Sequence, residues 1–122
     1  MSYAYQAQTF SAARRNLMLP NAHGEAHSVF HAFNECIHGL HNLNRDGLDD
    51  RARQWVADLE KLMDTTGIED PDKYGPYRLK AEQLTNPQKV ELSRTIDELA
   101  NWFERASLKQ SWEKQLTTEI TE

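Results

Sequence analysis

The sequence predicts an all-α protein: a small bundle of three to four helices, with an extended strap over about residues 68–85 between the third and fourth helices. The chain has 122 residues, which is enough for one domain with a single core. Hydrophobic residues make up 39% and charged residues 27%, as in a compact domain with a well-solvated surface. Apolar residues recur at spacings of three and four, which is the helical period. We therefore treat residues 1–122 as one helical domain.

The first predicted helix begins at Thr9 and ends before Pro20. Thr9 is a suitable N-cap, and proline commonly follows the end of a helix. Residues 1–8 are polar and aromatic without a period. We predict that they form a lead-in tail.

The second predicted helix follows Asn21 and contains all five histidines and the single Cys36. Its predicted core stripe is Ala26, Phe30, Phe33, Ile37 and Leu40. On a helix, the histidines at positions 23, 27, 31, 38 and 41 fall within an arc of about 80°. We expect this arc to border the core stripe, so that the histidines lie at the edge of the core.

A turn at residues 44–47 separates the second helix from the third. Such a short connection predicts an antiparallel hairpin of the two helices. The predicted core face of the third helix is Leu48, Ala52, Trp55, Val56, Leu59, Leu62 and Met63. Residues 77–82 then alternate between apolar and charged side chains, which suggests an extended segment, and this alternation is the basis for the strap.

The last predicted helix starts at Asn86 and Pro87, a capping residue followed by proline at the first helical position. Its core stripe is Leu92, Ile96, Leu99, Phe103 and Ala106. A second set of apolar residues then repeats every four residues on a different side of the helix. We call this set the C-terminal stripe: Leu108, Trp112, Leu116 and Ile120. Residues 107–122 form either a separate helix or a continuation with a second apolar face.

The C-terminal stripe is the predicted partner-binding surface. Tryptophan is enriched among the residues that contribute most to protein interfaces. Trp112 lies roughly opposite the core stripe if that stripe's phase is extended. The alternatives are that the segment folds back onto its own bundle or remains a mobile tail.

The histidines suggest an alternative, a site for a transition metal such as zinc. Residues four apart on a helix are neighbours, and pairs of histidines at this spacing bind such metals. The candidate ligands are His23, His27, His31, Glu35 and His38. A di-iron bundle site needs a Glu-x-x-His motif from each of two helices, and this chain has one. The other readings are ordinary boundary residues and a pH-sensitive interface.

The expected function is that of a non-enzymatic intracellular protein–protein interaction or regulatory module. We find no catalytic signature and therefore predict neither catalytic residues nor a cofactor. The net charge of −5 argues against nucleic acid, and we find no apolar run suited to a signal peptide or membrane span. A single cysteine is compatible with the reducing cytoplasm. The expected partner is another protein or a second copy in a homodimer; the alternative is a metal-binding helical protein.

Overall fold

The computed structural model describes residues 2–18 and 24–121, with the backbone alone described beyond residue 115. Over these residues the protein is all-α, as predicted, without a strand. The helices are α1 (Ala4–Met18), α2 (Glu25–Leu40), α3 (Asp50–Leu62), α4 (Pro76–Gln83) and α5 (Asn86–Thr121), with a 3-10 turn at Arg45–Gly47. The described part thus contains five α-helices instead of the predicted three to four. None of the described helices is long and apolar enough to span a membrane.

Helix α1 begins at Ala4, five residues before the predicted cap, so residues 4–8 are helical and do not form a lead-in tail. Tyr3 and Gln6 are buried. The Tyr3 hydroxyl donates a hydrogen bond to the carbonyl of Asn44 at 2.6 Å, and the Gln6 amide donates to the carbonyl of Gly39 at 3.3 Å. These polar side chains are buried because their hydrogen bonds are satisfied across the bundle. An apolar-period search does not detect that kind of burial.

The second half of the predicted strap is the helix α4. Asp70 stabilises the turn before α4. The Asp70 carboxylate accepts hydrogen bonds from the backbone N–H groups of Tyr74 at 2.7 Å and Gly75 at 2.8 Å. Gly75 has a φ of 116°, which a glycine adopts without strain. Pro76 follows at the first helical turn, where its missing N–H costs nothing.

Packing against α2 explains why residues 76–83 form a helix. Tyr77, Ala81 and Leu84 are four and three residues apart, and Ala81 and Leu84 are buried while Tyr77 packs against the core. The Tyr77 ring meets Phe33 of α2 edge-on at 6.3 Å. The same short sequence fits both a two-residue and a helical period, and burial against α2 selects the helix.

Helix α1 is central, since it packs on both α2 and α5, while α3 packs on α5 and α4 packs on α2. Helix α3 therefore packs mainly on α5, and not on α2 as the predicted hairpin of the second and third helices requires. The predicted core faces of α3 and α5 are confirmed. At the centre, Phe10 of α1 stacks on Phe103 of α5, with ring centroids 5.2 Å apart and an angle of 9° between the rings.

The buried face of α2 is rotated by about 90° from the predicted stripe. Small residues turn toward α1, and the fully or almost fully buried side of α2 is Ser28, Val29, Ala32, Phe33, Cys36 and Gly39. Phe30, Ile37 and Leu40 are partly buried and pack at the margin of the core. Gly39 lies against Thr9 and Phe10 of α1, where the absence of a side chain allows the backbones of α1 and α2 to approach closely. His27, His31 and His38 consequently lie on the side of α2 away from its most buried face, whereas we expected them to border the core stripe; His31 and His38 are exposed and His27 is partly buried.

Helix α5 continues without a break to Thr121, which is the second of the two alternatives for residues 107–122. Its 36 residues span about 54 Å at 1.5 Å per residue, against about 22 Å for the 15 residues of α1. The bundle reaches Gln110, whose side chain accepts a hydrogen bond from the backbone N–H of Tyr3 at 2.8 Å. Residues 111–115 beyond it are all exposed. The end of α5 therefore projects from the bundle.

Candidate functional site

The C-terminal stripe is exposed where its side chains are described. Leu108 follows the buried Phe103 by five residues, which places it about 140° around α5 from the core. Leu108 is 63% exposed and Trp112 is 64% exposed. The side chains of Leu116 and Ile120 lie outside the described part of the chain. Two large apolar side chains thus stand in solvent on the projecting end of a helix.

A groove between α3 and α5 lies beside this stripe, and we call it the α3–α5 groove. Its volume is about 380 Å³. Its lining residues are Asp49, Arg51, Trp55, Glu98, Trp102, Arg105, Ala106 and Lys109. Trp55 and Trp102 are only partly buried. Trp55 belongs to the predicted core face of the third helix, and Trp102 precedes Phe103 of the core stripe in the last helix, so the sequence did not indicate that the two share an exposed edge.

Hydrogen bonds and a ring contact hold the two tryptophans in place. The Trp102 indole N–H donates to a carboxylate oxygen of Asp49 at 3.1 Å, and the guanidinium of Arg51 lies over the Trp55 ring at 5.6 Å. Asp49 also caps α3, because its carboxylate accepts from the backbone N–H of Ala52 at 2.8 Å. The Ala52 and Trp102 hydrogen bonds lower the pKa of the Asp49 carboxyl. Asp49 is therefore ionised at neutral pH and committed to these two partners.

The histidine side of α2 contains one close pair. The Nε2 atoms of His27 and His31 lie 2.8 Å apart, with ring centroids at 4.3 Å. The i,i+4 spacing predicted this contact. Among the side chains of residues 2–18 and 24–115, no three His, Cys, Asp or Glu are placed to hold one metal ion together. The pair is thus not joined by Glu35 and His38 in one ligand cluster, and His23 lies outside the described residues.

Helix α4 lies beside His27 of this pair. His27, Phe30 and Arg78 line a small depression between α2 and α4. The Arg78 guanidinium lies over the Phe30 ring at 4.7 Å and over the Tyr74 ring at 5.3 Å. The Arg78 cation and the Glu82 carboxylate therefore line the same depression as His27, a feature that the sequence did not indicate.

The single cysteine is a packing residue. Cys36 is fully buried on the face of α2 that meets the core. Burial raises the pKa of its thiol far above the usual range. A buried, protonated thiol lacks the thiolate that nucleophilic chemistry requires.

Searches against protein-family models, curated proteins and solved structures found no match to this chain.

Proposed function

We propose that this protein is a non-enzymatic cytoplasmic protein–protein interaction module whose contact surface is the C-terminal stripe. One observation carries the proposal: Leu108 and Trp112 are about two-thirds exposed on a helix that extends past its own bundle. Covering the exposed part of one tryptophan removes on the order of 150 Å² of surface from water, worth about 3–4 kcal/mol. A partner that covers this stripe thus gains substantial binding energy.

The remaining parts of the proposal follow from charge and cysteine content. A net charge of −5 favours a protein partner over nucleic acid. The single buried thiol suits the cytoplasm, where disulfides are rare. Neither a catalytic residue nor a cofactor is part of the proposed role.

We expect Trp112→Ala to reduce partner capture from host extract at least tenfold and to change the free energy of unfolding by less than about 0.5 kcal/mol. Trp112 makes its contribution only when a partner covers it, so its loss affects binding and leaves the isolated fold intact. Capture is measured by pull-down with equal amounts of each variant, and stability is measured by urea unfolding.

Val90→Ala is the matched control, because Val90 is 68% exposed on the same helix but outside the stripe. It should leave capture unchanged. A large loss of stability with unchanged capture in Trp112→Ala would show that Trp112 packs in the core of the protein in solution.

The second candidate function is metal binding, and the contact between His27 and His31 favours it. Two imidazole nitrogens at this spacing present a pair of ligands to Zn²⁺, Ni²⁺ or Cu²⁺. On this alternative, further ligands come from a second chain or from solvent.

For this alternative, Zn²⁺ added to protein purified without an affinity tag should raise the melting temperature, and His31→Gln should abolish the increase. Zinc that binds only the folded state adds about 2.7 kcal/mol of stability at a hundredfold excess over Kd. His41→Gln is the control, since His41 is exposed at the C-cap of α2, ten residues after His31. A melting temperature that zinc does not change contradicts the metal-binding function.

A further inference from the structure

We infer that the partner is a second copy of this chain, bound with its α5 antiparallel to the first α5 and with a twofold axis close to Trp112. Each projecting segment then lies along the α3–α5 groove of the other copy. This inference depends on the proposed function, and it adds the identity of the partner, the direction of pairing and a role for the groove.

The groove and the C-terminal stripe adjoin along α5. Trp102 and Lys109 are seven residues apart on α5 and share one face to within about 20°. Trp112 follows Lys109 by three residues, one turn further and about 60° around. Arg105 of the groove wall lies within about 20° of Trp112 around α5, whereas Trp102 and Ala106 lie about 80° and about 120° from it, so the groove adjoins the face of Trp112 at Arg105 and Lys109. A helix that covers Trp112 would therefore extend over the edge of the groove formed by Arg105 and Lys109.

The charges of the groove wall complement those of the projecting segment. The groove wall includes three cations, Arg51, Arg105 and Lys109, against two carboxylates, Asp49 and Glu98. Asp49 is already bonded to Ala52 and Trp102. Residues 111–122 contain three glutamates and one lysine. An acidic helical segment of the same chain thus matches a groove with an excess of positive charge.

The register of the antiparallel pair also brings complementary residues together. A twofold axis at Trp112 places two positions opposite each other when they lie equally far from residue 112 along the chain, one before it and one after it. Leu108 then faces position 116, a leucine, and Arg105 faces position 119, a glutamate. All four of these positions lie within about 40° of Trp112 around α5. Twofold symmetry makes each pairing occur twice, as an isologous dimer requires.

The direction follows from the same residues. In a parallel twofold dimer every residue faces its own copy, so Arg105 would meet Arg105 and Glu119 would meet Glu119. Like charges directly opposed are unfavourable, whereas the antiparallel arrangement converts both sets into opposite-charge pairs. The charges therefore favour the antiparallel dimer.

The first experiment is sedimentation equilibrium of the full chain over a wide range of concentration. We expect a monomer–dimer equilibrium, with Kd raised at least tenfold by Trp112→Ala and about tenfold by Arg105→Glu or Glu119→Arg alone. The double variant Arg105→Glu/Glu119→Arg restores the opposite-charge pairs and should return Kd to within about threefold of the wild type. Val90→Ala should have no effect.

The second experiment tests direction by disulfide formation. Leu108→Cys and Leu116→Cys chains are mixed and oxidised under mild conditions, and the buried Cys36 leaves the introduced thiols as the reactive ones. The antiparallel register brings position 108 of one chain to position 116 of the other, so the mixture should link faster than either variant alone. Faster linking of each variant with itself would overturn the antiparallel register.

Two other outcomes overturn the inference and separate its failure from that of the proposed function. A chain that stays monomeric at every concentration, but captures a host protein in a Trp112-dependent way, retains the proposed function with a different partner. A dimer that is unaffected by Trp112→Ala and by both charge reversals assembles through another surface, so the inferred dimer is wrong. The proposed function then stands only if capture of a host protein depends on Trp112.

Discussion

Phe103→Ala is expected to lower the free energy of unfolding by about 3–5 kcal/mol, the largest effect of any single truncation that we propose. Phe103 is fully buried, and three aromatic rings surround it: Phe10 and Trp102 at 5.2 Å and Tyr3 at 5.3 Å. Truncation removes these ring contacts together with the apolar area, and it leaves a cavity where α1 meets α5. Domains of this kind are stable by about 5–15 kcal/mol, so the loss is a large share of the total.

Urea unfolding followed by far-ultraviolet circular dichroism measures this loss. The far-ultraviolet signal is preferable to tryptophan fluorescence because Trp102 lies next to the altered ring. Val90→Ala on the same helix is the control, and it should shift the free energy of unfolding by less than about 0.5 kcal/mol. A change below about 1 kcal/mol in Phe103→Ala would contradict the central position of the Phe10–Phe103 stack.

Gly39→Ala is expected to destabilise the protein by about 1–3 kcal/mol, although helix propensity alone predicts a gain of up to about 1 kcal/mol. A Cβ atom at position 39 would lie 2.5 Å from the Thr9 hydroxyl oxygen and 2.8 Å from a ring carbon of Phe10. Both atoms belong to buried side chains of α1, so the two helices must move apart to admit a methyl group. The direction of the change therefore distinguishes the close α1–α2 contact from a simple helix effect.

A double-mutant cycle with Thr9→Ala tests the cause of this loss. Removal of the Thr9 hydroxyl relieves the closest of the contacts and leaves the Phe10 contact, so Gly39→Ala should cost less in the Thr9→Ala background. Ser93→Ala, an exposed change on α5, reports the helix-propensity gain without the steric cost. If Gly39→Ala stabilised the protein to the same extent as Ser93→Ala, the α1–α2 approach would not be as close as the structure shows.

Local patterns predicted part of the candidate site. The apolar repeat moves to a different side of the helix between Phe103 and Leu108, and this change is visible in the sequence. It correctly indicates that Leu108 does not lie on the buried face. The contact of His27 with His31 follows from their spacing on one helix. Both inferences concern residues on a single helix, where spacing alone determines which side chains are neighbours.

The α3–α5 groove required the tertiary structure. Asp49 and Trp102 are 53 residues apart, and no periodicity in either helix indicates that the indole meets the carboxylate. Sequence reasoning instead paired the second and third helices through their short turn, whereas α3 packs on α5. The pairing of helices depends on burial summed over the whole bundle, which a local pattern does not contain.

The sequence by itself determined the helical class, the core faces of α3 and α5, and the out-of-phase position of Leu108, because period and capping act within one helix. Only the tertiary structure decided that residues 76–83 are helical, that small residues on α2 face α1, and that Tyr3 and Gln6 are buried. Each of these depends on groups far apart in the chain: α4 gains its burial from α2, Gly39 permits the approach of Phe10, and Gln6 finds its acceptor on α2. Long-range burial and hydrogen bonding thus override the local pattern wherever a short segment fits two conformations.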